Sequence, residues 1–183
     1  MNEKIYNNYI FNMKKIKILI IIIAFILSFP IHFIYDIFPC YFTSIIAPVN
    51  ESIWEHMKII YTSILLSSII EYFIYKKKKI NTNNFILSIP ISSILGIIFY
   101  LIIYLLIDLF IPHNFLIAII IMFITYIFSN IISYTIINKK EIPNQKELGI
   151  SLILINYIIF THLTYYPPNN YLFIDQITNT YGV

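Results

Sequence analysis

The sequence predicts an all-α membrane protein, a bundle of five transmembrane helices in one domain spanning residues 1–183. Three observations carry that prediction. The chain is 59% hydrophobic and only 11% charged, too apolar for an ordinary soluble domain of its length. Its apolar residues gather in five windows, at about 16–35, 57–75, 85–107, 115–137 and 148–165, each near the 20 or so residues that cross a bilayer as a helix. The connections are short and polar, with no internal repeat and no stretch left for a soluble domain.

In the first window, Lys14, Lys15 and Lys17 precede "ILIIIIAFILSF", the basic-then-apolar order of a signal peptide. The following "PIHFIYDIFPCYF" is bulky throughout and offers no small-residue cleavage site, so the window is read as an uncleaved span. Pro48 can end the next loop and Asn50 suits an N-cap, so the second helix is expected to begin near Glu51, whose carboxylate complements the helix dipole. "KKKKINTNN" and "NKKEIPNQKE" are turn-prone separators, and "DLFIPHN" is a tight connection with Pro112 as its breaker. Pro167 and Pro168 end the last helix. The aromatic, low-charge tail 166–183 is expected to fold over that end of the bundle, placed to lid a pocket.

Lysine placement sets the expected orientation. Lysines precede the first span, follow the second and lie between the fourth and fifth. The positive-inside rule then puts the N-terminus inside and the C-terminus outside, in a multi-pass protein of the cell membrane. On this topology the outer face receives Asp36, Glu51, Glu55, Asp108 and Asp175 against the lone Lys58, and the inner face eleven lysines against four glutamates. All four histidines, His32, His56, His113 and His162, fall at outer ends. The net charge of +3 lies in short lysine runs beside apolar spans, so the implied partner is membrane lipid and not nucleic acid, and no protein partner is named. A single Cys40 excludes an intramolecular disulfide and a cysteine-clustered metal site; it reads as a small buried or interfacial residue.

The stretch "PVNESIWEHMK" is the most polar between two spans. On a helix turning 100° per residue, Glu51, Glu55, Lys58 and Thr62 share one side, and Ser52, His56, Ser63 and Ser67 an adjacent stripe. Such a wedge is expected to face the bundle interior or a water-filled cavity, because lipid cannot solvate it. His32 and Asp36 lie four apart on the first span, and His162 near the end of the fifth. Together these residues would form an extracytoplasmic pocket for a divalent metal such as zinc, with His32, His56 and His162 as ligands and Glu51, Glu55 and His56 as catalytic groups. Asn50, Ser52, Trp54 and Asp175 are the candidate binding residues around it. No fixed metal signature is matched, HExxH being absent. The structural reading of the same residues is a dipole-capping Glu51, an interfacial Trp54, a Glu55–Lys58 pair at i,i+3 and interfacial histidines. Glu71 reads as a partner of Lys76 or its neighbours, and His113 and Asp108 as loop residues.

The runs "APVNESIWEHMK" and "HFIYD" and the ending "TYYPPNNYLFIDQITNTYGV" resemble DUF6512, an uncharacterised family of small bacterial polytopic membrane proteins, over most of the chain. The PVNES-I-WEH block and the terminal D-x-x-T-x-T-Y-G pattern are the most specific parts. Members often read D-P-x-T-G near the end, where this chain has Asp175, Gln176, Ile177, Thr178 and Asn179. The resemblance implies a membrane location and no reaction. Three functions therefore stand: a binding or structural role of the outer polar cluster, a metal-dependent hydrolase or transferase acting on a lipid-linked substrate, and a small transporter or channel subunit. Against the last, the third and fourth spans carry no mid-membrane charge, so no continuous relay to the inside is expected.

Overall fold

The computed structural model describes residues 3–80, 82–111 and 114–183, with side chains from residue 11 onward. These contain six helices: α1 Glu3–Ile37, α2 Tyr41–Ile46, α3 Ile53–Lys77, α4 Phe85–Asp108, α5 Phe115–Ile137 and α6 Gln145–Tyr165. All but α2 are long and apolar enough to cross a membrane, the architecture of a multi-pass membrane protein. There is no strand among the described residues; the tail adds one antiparallel bridge between Ile174 and Tyr181. Pro112 and His113, the expected breaker and turn, lie outside the described residues.

The helices outrun the apolar windows because their polar flanks continue the turn. α1 runs for 35 residues from Glu3 instead of starting near residue 16, roughly 52 Å at 1.5 Å per residue. α3 corrects the expected start near Glu51. Its N-cap is Ser52, whose hydroxyl accepts the Glu55 amide at 3.3 Å. Asn50 instead accepts the Ser52 amide at 3.0 Å, because an Asn side chain reaches most readily to the amide two residues on. α2 was not expected: six residues are too few to show a period.

α3 is the hub of the bundle. In its most apolar stretch 61% of residues are buried, against 44% or less in the other spans. Helices in hydrocarbon gain nothing from hiding isoleucine, so close packing and polar contacts decide which faces meet. Met57, Ile60 and Tyr61 of α3 pack into one core with Tyr100 of α4 and Tyr126 of α5. Ile18, Ile22 and Ile26 on the opposite side of α1 stay exposed at four-residue spacing, a lipid face.

The end of the bundle that carries the lysine runs, the lysine end, is fastened by Asn84. Its backbone is left-handed (φ 53°), which Asn tolerates. Its side chain donates to the carbonyls of Ile136 (3.2 Å) and Lys140 (2.9 Å) and accepts the Ile142 amide (2.7 Å). Glu71 supplies another correction. It pairs with Lys17 of α1 at 2.7 Å, with both side chains buried, and not with Lys76, which lies five residues on and about 140° round the helix.

Candidate functional site

The polar wedge of α3 faces inward, as its spacing requires: Ser52, Glu55, Lys58, Thr62, Ser63 and Ser67 are all buried. At the opposite, histidine end, its first turns carry two separate arrangements.

In the first, the Lys58 ammonium donates to Glu55 Oε2 (2.6 Å), Thr164 Oγ1 (2.9 Å) and the carbonyls of Ser44 (2.8 Å) and Ala47 (3.2 Å). Glu55 also accepts the Val49 amide at 3.0 Å and the Thr164 hydroxyl at 2.6 Å. The two charged side chains are 0% and 2% exposed. A buried ion pair is tolerated when further hydrogen bonds saturate it, and this one ties α3 to the end of α2 and to α6. Glu55 thus faces Lys58 and Thr164 and does not line the histidine cavity.

In the second, Glu51 stands between two imidazoles, with Oε1 at 3.6 Å from His32 Nε2 and Oε2 at 3.5 Å from His56 Nε2. The three donor groups lie within 4.8 Å of one another. His56 Nδ1 lies 2.9 Å from the Ser52 carbonyl. A carbonyl only accepts, so Nδ1 carries the proton and the Nε2 lone pair of the neutral ring is turned to Glu51. His32 Nδ1 is buried with no hydrogen-bond partner among the described residues. The His32 imidazole beside Glu51 holds its carboxyl below the usual range, against the opposing pull of partial burial.

The cluster heads a cavity of about 330 Å³ between α1 and α5. Phe25, Phe29 and Phe33 of α1 and Phe115, Ala118 and Met122 of α5 line it, and Ile177 of the tail borders it. Phe29 and Phe33 are also exposed on the outside of the bundle. The result is an apolar slot at the lipid-facing surface with one polar wall.

The tail folds back over this end, as its composition suggested. Asn50 donates to the Gly182 carbonyl at 2.9 Å, the Trp54 amide to the Leu172 carbonyl at 2.9 Å, and the Trp54 ring stacks on Phe173 with centroids 4.9 Å apart. Asp175 accepts the amides of Ile177 (2.7 Å) and Thr178 (3.0 Å), with the Glu51 amide at 3.5 Å from its other oxygen. Burial pushes the Asp175 carboxyl up, but the Thr178 and Ile177 amides outweigh it and leave it below its ordinary value. Asn50, Ser52, Trp54 and Asp175 are thus brought together, as fasteners of the loop and tail.

His162 and Asp36 are not brought to the cluster. His162 is exposed on the far side of α6, against Tyr166 at 5.3 Å between ring centroids, and Asp36 is exposed at the end of α1. The expected three-histidine set is therefore, in this geometry, two histidines and Glu51. Cys40, read as a buried or interfacial residue, is exposed. Lys17 was missed as a buried partner because it reads as one of a lysine run. Its signal is its position with isoleucine on either side.

A family model described as a family of unknown function (DUF6512) matches residues 5–183, and the chain belongs to that family. No curated protein and no solved structure matches it.

Proposed function

We propose that this DUF6512 protein binds a divalent transition metal such as zinc on His32, Glu51 and His56, and through it the polar head of a lipid-linked ligand lying in the slot between α1 and α5. The observation that carries this reading is the convergence of two imidazole nitrogens and a carboxylate, from α1, the loop before α3 and α3 itself, within 4.8 Å at the head of an apolar cavity. Tetrahedral zinc with bonds near 2.0–2.2 Å sets its donors roughly 3.3–3.6 Å apart. The His32–Glu51 and His56–Glu51 separations are 3.6 and 3.5 Å through different carboxylate oxygens, and one donor atom from each residue gives a set within 4.8 Å, so the side chains would close by about an ångström around the ion. Three protein ligands leave a fourth position for an oxygen of the ligand or for water. Binding is favoured over hydrolysis because Glu55, the carboxylate expected to serve as base, is committed to Lys58, Thr164 and the Val49 amide. By the positive-inside rule the lysine end is cytoplasmic and the slot extracytoplasmic.

The test is zinc titration of the purified protein in a non-chelating detergent buffer, with bound metal measured after gel filtration. About one zinc per chain is expected, with affinity falling as pH drops through about 6–7 while the imidazoles protonate. His32→Ala and His56→Ala should each weaken binding at least about tenfold, and His162→Ala should leave it unchanged. Absence of stoichiometric zinc, or equal binding by His56→Ala, would overturn the assignment.

A further inference from the structure

Polar groups continue inside the bundle beyond the histidine site. Lys17 and Glu71, 2.7 Å apart, have side chains 7% and 2% exposed, and Lys17 also donates to Ser133 at 2.8 Å. The pair lines a cavity of about 20 Å³ whose walls include Ser67, Ser92, Ser129 and Tyr126, room for one or two waters. Ser129 and Tyr126 are 2% and 1% exposed; the Ser129 hydroxyl has no hydrogen-bond partner among the described residues, and that of Tyr126 lies beside the Ser63 and Ser28 hydroxyls without closing a well-aligned bond to either. A buried hydroxyl left alone costs free energy, so the Ser129 hydroxyl on this small cavity calls for a hydrogen-bonding guest. From α4 and α5 the polar groups facing the ion pair are hydroxyls and the Asn130 amide, among the described residues. Glu71 and Lys17 are then the ionisable groups on that cavity among the described residues.

The cavity connects in both directions. The Tyr126 hydroxyl faces those of Ser63 and Ser28, and Ser28 lines the slot at the histidine end. Lys17 and Asn130 line both the enclosed cavity and a groove edged by Lys14 at the lysine end. From Lys17 to Ser28 is roughly 16 Å along α1. Small-residue packing accounts for Ser88 and Ser93, which donate to carbonyls of their own helix; Ser28, Ser67 and Ser92 rest in the same way and must turn their hydroxyls to pass a proton. Such packing does not account for an ion pair inside two spans, which in membrane proteins marks a pathway or relay.

We infer that this row of groups is a proton path through the bundle, running from the slot at Ser28 through Tyr126 and the serine-lined cavity to Glu71 and the Lys14 groove. At each hop an oxygen accepts a proton on a lone pair and releases its own to the next oxygen. The Glu71 carboxylate takes the proton; Lys17, which lines both the cavity and the groove, releases one of its own to water in the groove and takes the proton of Glu71 in return. One proton crosses, and only O–H and N–H bonds are made and broken. The path does not depend on a metal at the histidine site.

The test uses the full-length protein in vesicles that enclose a pH-sensitive dye, with a potassium diffusion potential set by valinomycin. Wild-type vesicles should acidify at least about fivefold faster than protein-free ones. Tyr126→Phe removes a single oxygen and keeps the ring, so its melting temperature should stay near that of the wild type while the flux falls to the protein-free rate. Glu71→Gln should do the same to the flux, and His162→Ala should change nothing. Wild-type vesicles that hold the gradient as long as empty ones, or a Tyr126→Phe protein with undiminished flux, would overturn the inference.

Discussion

Replacing Lys58 by methionine keeps most of the side-chain volume and removes one charge from the most buried ion pair at the histidine end. Glu55 would be left with two neutral donors, the Val49 amide and the Thr164 hydroxyl, and the Ser44 and Ala47 carbonyls would lose theirs. Removing one partner of a buried pair costs about 3–5 kcal/mol. At roughly 2–4 °C per kcal/mol for a chain of this size, the melting temperature in detergent should fall by about 6–20 °C, read from loss of the monodisperse gel-filtration peak after heating. Adding Glu55→Gln removes the orphaned charge, so the double variant should recover at least half of that fall. A single variant within about 2 °C of wild type, or a double variant worse than the single, would refute the reasoning.

Two glycines separate backbone from side-chain collisions. A Cβ on Gly149 would stand 2.7 Å from the carbonyl carbon and oxygen of Ile86, backbone that cannot swing away, so Gly149→Ala should cost about 1–3 kcal/mol. On Gly96 the obstacle is the Ser129 hydroxyl at 2.0 Å, which can rotate, so Gly96→Ala should cost less; a thermal melt with the order reversed would contradict this. The exposed Cys40 tests orientation. Its thiol is held below the ordinary value by hydrogen bonding to the Thr43 hydroxyl, which favours the reactive thiolate. A membrane-impermeant maleimide should label it in intact cells, and labelling only after permeabilisation would invert the topology.

The five spans were legible because each window announces itself by composition alone; their ends were not, since a polar flank such as the one ahead of residue 11 in α1 continues a helix without changing the apolar count. The inward face of α3 was legible for a physical reason: a wedge of Glu55, Lys58, Thr62 and Ser67 has no other place to go in lipid. Which neighbours that wedge meets was not. The placing of His162 shows why. Phe160 and Thr164 are the buried residues on that turn of α6, and His162 lies two residues from each, about 200° round the helix and therefore opposite. The spacing held that signal, but only once the face carrying Thr164 was known to be the inner one. Lys17 is the converse case: its charge placed it with the lysine flank, and only the packing of α1 on α3 reveals its partner Glu71.

Subtracting the fasteners explains why so short a stretch holds so many polar groups. Asn50 is tied to Gly182 and to the Ser52 amide, Ser52 caps α3, Glu55 and Lys58 bind each other, and the Trp54 and Glu51 amides hold the tail. Each of these closes the histidine end where irregular backbone could not otherwise survive near lipid. What remains is the Glu51 carboxylate and the Nε2 atoms of His32 and His56. The His56 ring, its proton fixed on the far nitrogen by the Ser52 carbonyl, turns a lone pair to Glu51, while the His32 imidazole beside the carboxylate holds it below its ordinary value. A proton shared between His32 and Glu51 joins those two groups and leaves the His56 lone pair facing the carboxylate unanswered. Under the proposed function a divalent cation would take that proton's place and answer all three groups at once.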